Sequence, residues 1–216
     1  MKKVITIDGP SGAGKSTLAK RLAQQLCFQY LDTGALYRAV ALYLRRRGYD
    51  EEISDDELRQ ALQEVKIEFS SGRVYINNED VSDQIRTPEI GHYSSVFSAR
   101  VPEFLLDTQR SFPEKHDTVA EGRDMGTVVF PRAWKKFFLT ASVEERAKRR
   151  FNQLKEMGKS ITFDEALRDV KDRDERDAGR AIAPLKVPED AVYIDTTDLT
   201  IEETLNRIIR HLNSDA

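Results

Sequence analysis

Gly9-Pro10-Ser11-Gly12-Ala13-Gly14-Lys15-Ser16-Thr17 fits the phosphate-binding pattern Gly-x-x-x-x-Gly-Lys-Ser/Thr and is the most informative segment of the sequence. The apolar run at residues 4–7 predicts a short buried strand before it, and the apolar spacing over residues 18–26 predicts a helix after it. A strand, a glycine-rich turn and a helix in this order are what the motif requires. A glycine-rich turn that matched by chance would not come with both flanking elements.

The predicted roles within this motif follow from backbone geometry and charge. Gly12 and Gly14 let the chain turn tightly, so that successive N–H groups point at one anion, and the N-terminus of the helix adds partial positive charge. We expect Lys15 to reach the outer phosphates as a catalytic cation, and the Ser16 hydroxyl to be a ligand of Mg²⁺. The predicted ATP-binding residues are Gly9, Pro10, Ser11, Gly12, Ala13, Gly14, Lys15, Ser16 and Thr17.

The composition excludes several classes of protein. Charged residues make up 33% of the 216 residues, yet the formal net charge is only −3, which argues against a protein that binds nucleic acid. The single cysteine, Cys27, excludes an internal disulfide, and we expect it to pack as a small apolar side chain. No apolar stretch approaches the roughly 20 residues that cross a membrane. The first strand leaves no room for a signal peptide, so we expect a cytoplasmic protein without a membrane partner.

Predicted strands and helices alternate along the chain, which indicates an α/β fold whose parallel sheet is covered by helices. Between residues 65 and 81 the pattern changes to apolar–polar alternation with turns at 71–72 and 77–78, which predicts a small antiparallel insertion. No linker is long enough to separate domains, so we expect one domain over residues 1–216. Strands are predicted at 4–7, 30–31, 118–120, 136–139 and 191–194, and helices at 18–26, 35–47, 55–62, 87–110 with a break at Pro102, 143–157, 163–177 and 201–212.

Two polar clusters follow predicted strands, at the edge where doubly wound sheets bind ligands. In residues 31–38, Arg38 lies one turn into a helix and can hold a phosphate by two parallel hydrogen bonds, although a capped helix with a surface arginine is the simpler alternative. In residues 121–126, Arg123 can bind phosphate. Asp124 can accept a hydrogen bond from an exocyclic amino group or from a metal-bound water. The alternative there is a local ion pair in a turn.

A third cluster is rich in arginine. Arg173, Arg176 and Arg180 recur near helical spacing and are expected to share a face, and Arg173 and Asp177 are spaced for an ion pair. A second basic run at 146–150 lies on the preceding helix, and the two helices are joined by the flexible residues 158–160. This arrangement predicts a lid that closes on substrate, although such charge runs are usually solvated helix faces.

The surplus of arginine favours phosphoryl transfer between two phosphates. That reaction gathers many negative oxygens, and positioning and charge neutralisation supply nearly all of the catalysis. No general base is needed, because the oxygen of a monophosphate is already a nucleophile at neutral pH. The guanine-reading signature Asn-Lys-x-Asp is absent from the sequence.

The chain resembles the bacterial cytidylate kinases over nearly its whole length. The Gly-Arg-Asp-Met-Gly-Thr run that starts at Gly122 and the Arg-Ala-Ile-Ala-Pro-Leu run that starts at Arg180 are the most specific matches. The resemblance implies a P-loop kinase fold with a central parallel five-stranded sheet, a β insertion in an acceptor-binding region at 60–100 and a helical lid at about 150–182. The matching segments are 5–15, 31–38, 79–82, 85–87, 122–131, 173–177 and 180–185.

The resemblance also implies transfer of the γ-phosphoryl group of ATP to CMP or dCMP with Mg²⁺, in pyrimidine nucleotide metabolism, by a monomer. Carried over by position, it places Thr33, Tyr37 and Arg38 at the acceptor phosphate and Asp124 at the cytosine amino group. Arg173 and Asp177 would hold the sugar or link it to the lid, and Ser94 or Ser95 would contact the base. The implied catalytic residues are Lys15, Arg123, Arg173 and Arg180, and the implied CMP-binding residues are Thr33, Tyr37, Arg38, Ser95, Arg123, Asp124, Arg173, Asp177 and Arg180.

One segment departs from the family pattern. Similar proteins read Val-Arg-x-x-Leu where this chain has Val101-Pro102-Glu103-Phe104-Leu105, and that arginine contacts the base. Either Arg100 reaches the same place from a shifted register or the contact is missing. Two alternatives to a cytidylate kinase remain: another small P-loop kinase that acts on UMP, AMP or a non-nucleotide, and a module that binds ATP without turnover.

Overall fold

A computed structural model describes residues 2–70 and 72–214 of the chain. Short 3₁₀ turns at Gln84–Arg86 and Phe112–Glu114 and one π-helical turn at Met125–Val129 connect the longer elements. In chain order these are β1 (Val4–Asp8), α1 (Lys15–Leu26), β2 (Gln29–Asp32), α2 (Thr33–Arg46), α3 (Asp55–Gln63), β3 (Ile67–Ser70), β4 (Arg73–Ile76), β5 (Glu79–Asp80), α4 (Pro88–Phe97), α5 (Pro102–Ser111), β6 (Thr118–Gly122), β7 (Lys135–Thr140), α6 (Val143–Glu156), α7 (Phe163–Gly179), β8 (Val192–Asp195) and α8 (Ile201–Asn213).

The central sheet has five parallel strands in the order β2-β6-β1-β7-β8, which confirms the predicted five-stranded sheet. β1 lies in the middle, with Ile7 opposite Glu121 of β6 on one side and opposite Phe137 of β7 on the other. The carboxyl ends of parallel strands meet at one edge of a sheet. The loop after β1, Asp32 at the end of β2 and the turn after β6 are therefore neighbours.

Apolar side chains fill both faces of the sheet. On one face α1 and α8 pack Leu18, Leu22 and Ile208 against Ile5, and these side chains are at most 1% exposed. On the other face α2, α4 and α5 form a second cluster. Fully burying such a side chain contributes about 1.5–3 kcal/mol. Because both faces are covered, consecutive residues of the central strands are buried rather than alternate ones: four of the five residues of β1 and all five of β6 are buried.

The β insertion is a three-stranded antiparallel sheet in the order β3-β4-β5, as predicted. Ile67 pairs with Ile76 across the hairpin, and Asn77 and Asn78 make the second turn with φ of 47° and 70°. Asparagine tolerates this left-handed backbone better than other non-glycine residues do. The inward side chains of the sheet join the cluster that α2 forms, so the insertion packs directly on the core.

Helix ends follow their capping residues. Asp32 accepts the N–H of Ala35 at 2.9 Å, so α2 begins at Thr33, two residues earlier than expected. Pro102 separates α4 from α5 as predicted, and it is buried at the first turn of α5. The prediction of a packed Cys27 is wrong. Cys27 caps the end of α1 with φ 55°, and this left-handed turn leaves it exposed.

Across the part of the chain that the structure describes, none of the helices is both long enough and apolar enough to cross a bilayer.

Candidate active site

The phosphate-binding loop, residues 9–16, lies between β1 and α1 and is held in place by neighbouring backbone. A Cβ on Gly9 would lie 1.9 Å from the carbonyl oxygen of Leu139, so only glycine fits where the loop leaves the sheet. A Cβ on Gly12 would come within 3.0 Å of Arg146 Cβ on α6. Gly12 and Gly14 have φ of 80° and 89°. These contacts fix the loop at the N-terminus of α1, where anions bind.

Lys15 and Ser16 begin α1 and face different partners. The Nζ of Lys15 donates to the carbonyl oxygen of Pro10 at 2.7 Å, which folds the side chain back over the loop. Ser16 Oγ donates to Glu121 Oε1 at 2.6 Å, and the hydroxyl of Tyr30 donates to the same oxygen at 3.0 Å. Burial, and next the charge of Arg123, lower the pKa of Lys15 to about 7. A bound phosphate would favour the charged form of Lys15, because an opposite charge nearby raises the pKa of an amine.

A cavity of about 770 Å³ runs from this loop across the carboxyl edge of the sheet to α4. That volume suits a large ligand or two smaller ones. Among the predicted site residues, Gly9, Pro10, Ala13 and Asp177 lie behind the cavity wall. The wall itself includes these predicted residues: Ser11, Gly12, Gly14, Lys15, Ser16, Thr17, Thr33, Tyr37, Arg38, Ser95, Arg123, Asp124, Arg173 and Arg180.

The far end of the cavity is formed by α2 and by α4, which carries Ser94 and Ser95. Thr33 donates its hydroxyl to the carbonyl oxygen of Glu121 at 2.6 Å. Arg38 donates through Nη2 to both carboxylate oxygens of Asp32, at 3.2 and 3.3 Å. The helix is capped by Asp32 as the alternative expected, but Arg38 is not a freely solvated surface side chain: it is 26% exposed, and its buried Nε has no hydrogen-bond partner among the described residues.

An arginine network, Arg123, Arg150, Arg173 and Arg180 with Asp169 and Asp177, covers one side of the cavity. Arg123 Nε donates to Asp177 Oδ2 at 2.7 Å, and Arg180 donates to Asp177 Oδ1. Burial opposes the charge of Asp177, but Arg123 and then Arg180 hold its pKa below the usual value. The buried Nε of Arg180 is also without a partner in the described ranges. Buried donors of this kind are normally satisfied, so an unpaired donor on a residue that lines the cavity calls for a partner such as a ligand or a water.

Two predictions about this network are wrong. Arg173 does not pair with Asp177; its Nε donates to Asp169 Oδ1 at 3.1 Å, while Arg150 donates to the other oxygen of Asp169 at 3.0 Å. Arg176 does not share the face of the other two arginines, because it turns away and donates to the carbonyl oxygen of Asp172. Asp177 is already engaged by arginines outside the regular helix, which spacing along one helix does not reveal.

The basic run on α6 contacts the phosphate-binding loop directly. Arg146, which is 4% exposed, makes two hydrogen bonds to Asp174 of α7, at 2.7 and 2.8 Å, and a third at 3.3 Å to the carbonyl oxygen of Ser11. Arg149 donates to the carbonyl oxygen of Gly12 at 3.3 Å and lines the cavity. The first turns of α6 are therefore anchored to the loop, and Arg149 is a site residue that sequence reasoning assigned only to a lid.

Sequence reasoning also missed two buried carboxylates. Glu121 is 5% exposed and faces Ser16, and Asp8 is fully buried at the end of β1. Each lies at or next to the carboxyl end of a buried strand that carries no other charged residue, and this position is the signal that could have found them. The ion-pair alternative for the 121–126 turn also fails, since Arg123 pairs with Asp177 rather than with its neighbour.

Arg100 lies outside the cavity wall. Its guanidinium donates to Asp55 Oδ1 at 2.5 Å through Nη2 and at 3.0 Å through Nε, and to the carbonyl oxygen of Ile53 at 2.8 Å. These bonds hold Arg100 at the start of α3, so in this structure it does not take the place of the missing base-contacting arginine.

Comparison with known proteins agrees on one family. A profile of the cytidylate kinase family matches residues 5–214. A cytidylate kinase from Thermodesulfovibrio yellowstonii is 54% identical over the full length of both chains. Another from Thermotoga maritima is 46% identical over 95% of this chain and 94% of its own. The fold alone is shared with a shikimate kinase from Bacteroides thetaiotaomicron, at 16% identity and a TM-score of 0.50 over 98% of both chains.

Proposed function

The chain belongs to the cytidylate kinase family, and we propose on this premise that it transfers the γ-phosphoryl group of ATP to CMP or dCMP. The products are ADP and CDP or dCDP. The observation that supports this most directly is the pair of unpartnered buried donors, Arg38 Nε and Arg180 Nε, on residues that line the same cavity as the phosphate-binding loop. One anion at the loop and a second one at these arginines would lie end to end, as phosphoryl transfer requires.

ATP is assigned to the phosphate-binding loop. Its phosphates would accept from the loop N–H groups and from Lys15, which would exchange the carbonyl of Pro10 for a phosphate oxygen. Arg149, held near the loop by the carbonyl oxygens of Gly12 and Thr196, would neutralise further charge. Fixed donors of this kind stabilise the charge of the transition state without reorganising during the reaction.

Mg²⁺ fits the donor set beside the loop. The Ser16 hydroxyl faces the Glu121 carboxylate at 2.6 Å, and hydroxyl and carboxylate oxygens are the ligands that Mg²⁺ prefers. Ser16 would ligate the ion, and Glu121 would hold one of its waters. The bound ion would neutralise charge on the phosphates of ATP.

CMP is assigned to the far end. Arg38, with Thr33 and Tyr37 beside it, would hold the acceptor phosphate, and Arg123 and Arg180 would exchange Asp177 for phosphate oxygens. A charged Asp124 would accept from the 4-amino group of cytosine, which presents a donor at that position. Arg173 and Asp177 would contact the sugar, and Ser95 or Ser94 would contact the base from α4. An oxygen of the CMP phosphate would attack the γ-phosphorus of ATP directly, with ADP as the leaving group, and no general base is needed.

We further propose that the chain acts as one domain. Residues 60–100 would shape the acceptor site. Residues 150–182 would close as a lid, since the hydrogen bonds that anchor α6 to the loop come from Arg146 and Arg149 in its first two turns. All the residues assigned above come from a single chain, which suits a monomer acting in the cytoplasm, and light scattering after size-exclusion chromatography would test the oligomeric state.

An acceptor panel tests the proposal. With ATP and Mg²⁺, CMP and dCMP should give the highest kcat/KM, UMP less and AMP little or none. Phosphorylation of AMP but not of CMP would assign the chain to a different acceptor, and ATP binding without turnover on any acceptor would make it a non-catalytic module.

A further inference from the structure

Asp8 is a buried carboxylate that the proposed reaction does not use. It ends β1 directly before the phosphate-binding loop and is fully buried. Its Oδ1 accepts the N–H of Met125 at 2.9 Å and its Oδ2 accepts the N–H of Gly126 at 2.7 Å. Both carboxylate oxygens thus hold the turn after β6, which ties the loop that carries ATP to the turn that carries Asp124.

Asp124 immediately precedes the two residues that Asp8 holds. It is 4% exposed and forms part of the cavity wall. The ionisable groups that face it are Asp8 from β1, Arg123 beside it, Arg180 after α7 and Tyr37 from α2. Because Asp8 holds the two residues that follow Asp124 and both carboxyl groups are buried, a negative charge at Asp8 acts on Asp124 with little screening by water.

The two carboxyl groups do not take up a proton equally easily. Burial, and next the charge of Asp8, raise the pKa of Asp124 to about 7, although Arg180 and Arg123 oppose this. Burial also raises the pKa of Asp8, but the N–H groups of Gly126 and Met125, with Lys15 and Arg123, hold it to about 6. As the pH falls through neutrality, the first proton should bind Asp124.

The protonation of Asp124 changes what it can recognise. A charged carboxylate only accepts hydrogen bonds, which suits the 4-amino group of cytosine, whereas a neutral carboxyl can also donate to an oxygen. Uracil carries such an oxygen at position 4. The charged form therefore favours CMP, and the neutral form removes that preference.

We propose that Asp8 is a specificity-determining positioning residue: clamped to Met125 and Gly126, it sets a negative charge beside Asp124 and so fixes the pH below which the site loses its preference for CMP over UMP. The inference rests on the proposed contact between Asp124 and the base. The effect of Asp8 on selectivity is indirect, since its carboxylate acts through Asp124.

The test is the ratio of kcat/KM for CMP to kcat/KM for UMP, measured from about pH 5.5 to about pH 8.5. Ionisation of phosphate, arginines and Lys15 affects both acceptors and cancels in this ratio. In the unaltered protein the ratio should fall with falling pH, with a midpoint near the pKa of Asp124. Asp8→Asn should move the midpoint about one unit lower, because a neighbouring negative charge is removed. Near pH 6.5 such a shift makes the ratio about threefold higher than in the unaltered protein.

A purely structural role of Asp8 gives a different result. If Asp8→Asn only disturbed the turn, kcat/KM would fall for both acceptors and the midpoint would stay in place, which would overturn the proposal. Asp56→Asn, on the exposed surface of α3, is the control and should leave the midpoint unchanged. If Asp8→Asn does not fold, the ¹³C chemical shift of the Asp124 carboxyl group can be followed against pH in the unaltered protein. A titration curve of Asp124 with no inflection above pH 6 would contradict the proposal.

Asp124→Asn distinguishes a failure of the proposed contact with the base from a failure of the inference about Asp8. It should lower the ratio and abolish its pH dependence. If Asp124→Asn keeps both the CMP preference and its pH profile, the proposed contact of Asp124 with the base fails. If instead Asp124→Asn behaves as expected while Asp8→Asn leaves the midpoint in place, only the inference about Asp8 fails.

Discussion

The phosphate-binding loop and the arginine network line the same cavity but are held by different kinds of contact. In the loop, backbone atoms are the partners: Gly9 lies against the backbone of Leu139, and the side chains of Lys15, Arg146 and Arg149 donate to loop carbonyl oxygens. In the network, Arg123 and Arg180 share Asp177, and Arg150 and Arg173 share Asp169. Contacts of the first kind keep a site preformed, whereas a phosphate can replace a carboxylate in contacts of the second kind.

This difference assigns the two regions different tasks. We expect the preformed loop to bind the donor nucleotide without reorganisation, as electrostatic preorganisation requires. We expect the exchangeable network to stay neutralised by its aspartates while the cavity is empty and to turn its arginines to phosphate when both nucleotides are bound. Leaving those cations unpaired and buried would cost free energy, so the aspartates stabilise the empty state.

The largest expected effect belongs to the loop. Lys15→Ala removes the cation nearest the donor phosphates and should lower kcat about 10³-fold or more. Steady-state kinetics with CMP measures it. Lys20→Ala, an exposed lysine on the same helix, is the matched control and should retain nearly full activity. A near-normal kcat in Lys15→Ala would contradict a catalytic role of Lys15 in this loop.

A smaller effect is expected from the aspartate that holds the network. Asp177→Asn keeps the volume but releases Arg123 and Arg180 from a fixed geometry, and misplaced groups cost up to about 10²-fold in rate. We expect kcat/KM for CMP to fall about 10- to 100-fold while KM for ATP changes little. Asp172→Asn, exposed on the same helix, is the control. Equal losses for both nucleotides would show that the two regions are not independent.

Asp124→Ala should weaken CMP binding more than ATP binding, because only the acceptor presents an amino group to this side chain. A well-placed hydrogen-bonding side chain contributes about 1–3 kcal/mol to base discrimination, so we expect a loss of about 10- to 100-fold in kcat/KM for CMP. Isothermal titration calorimetry with each nucleotide measures the loss of affinity for CMP and for ATP separately. Affinities that fall together would remove Asp124 from the acceptor end.

The smallest effect is expected at Arg100. Its partners are Asp55, which is largely exposed, and a backbone carbonyl outside the cavity, and such surface pairs contribute about 0–1 kcal/mol. Arg100→Ala should therefore change KM for CMP less than about twofold. A large rise in KM would mean that Arg100 swings into the site when CMP binds, in place of the arginine that this chain lacks at Pro102.

The same contrast explains what the sequence could predict. The loop, the sheet and the insertion follow from local patterns, because glycine geometry, apolar runs and turn residues act over a few neighbours. Partners within the arginine network were predicted wrongly because Asp177 pairs with Arg123 from a distant strand end. Asp8 and Glu121 were missed because their roles arise only where three parallel strands bring their carboxyl ends together.

A crystal structure with Mg²⁺, CMP and a non-hydrolysable ATP analogue would show whether the arginine network exchanges its aspartate for phosphate. We predict that Arg123 and Arg180 leave Asp177 and bind phosphate oxygens, while the backbone of the phosphate-binding loop keeps its present conformation. If both arginines stayed on Asp177 and the phosphates of both nucleotides bound elsewhere, the proposed exchange of aspartate for phosphate would be wrong.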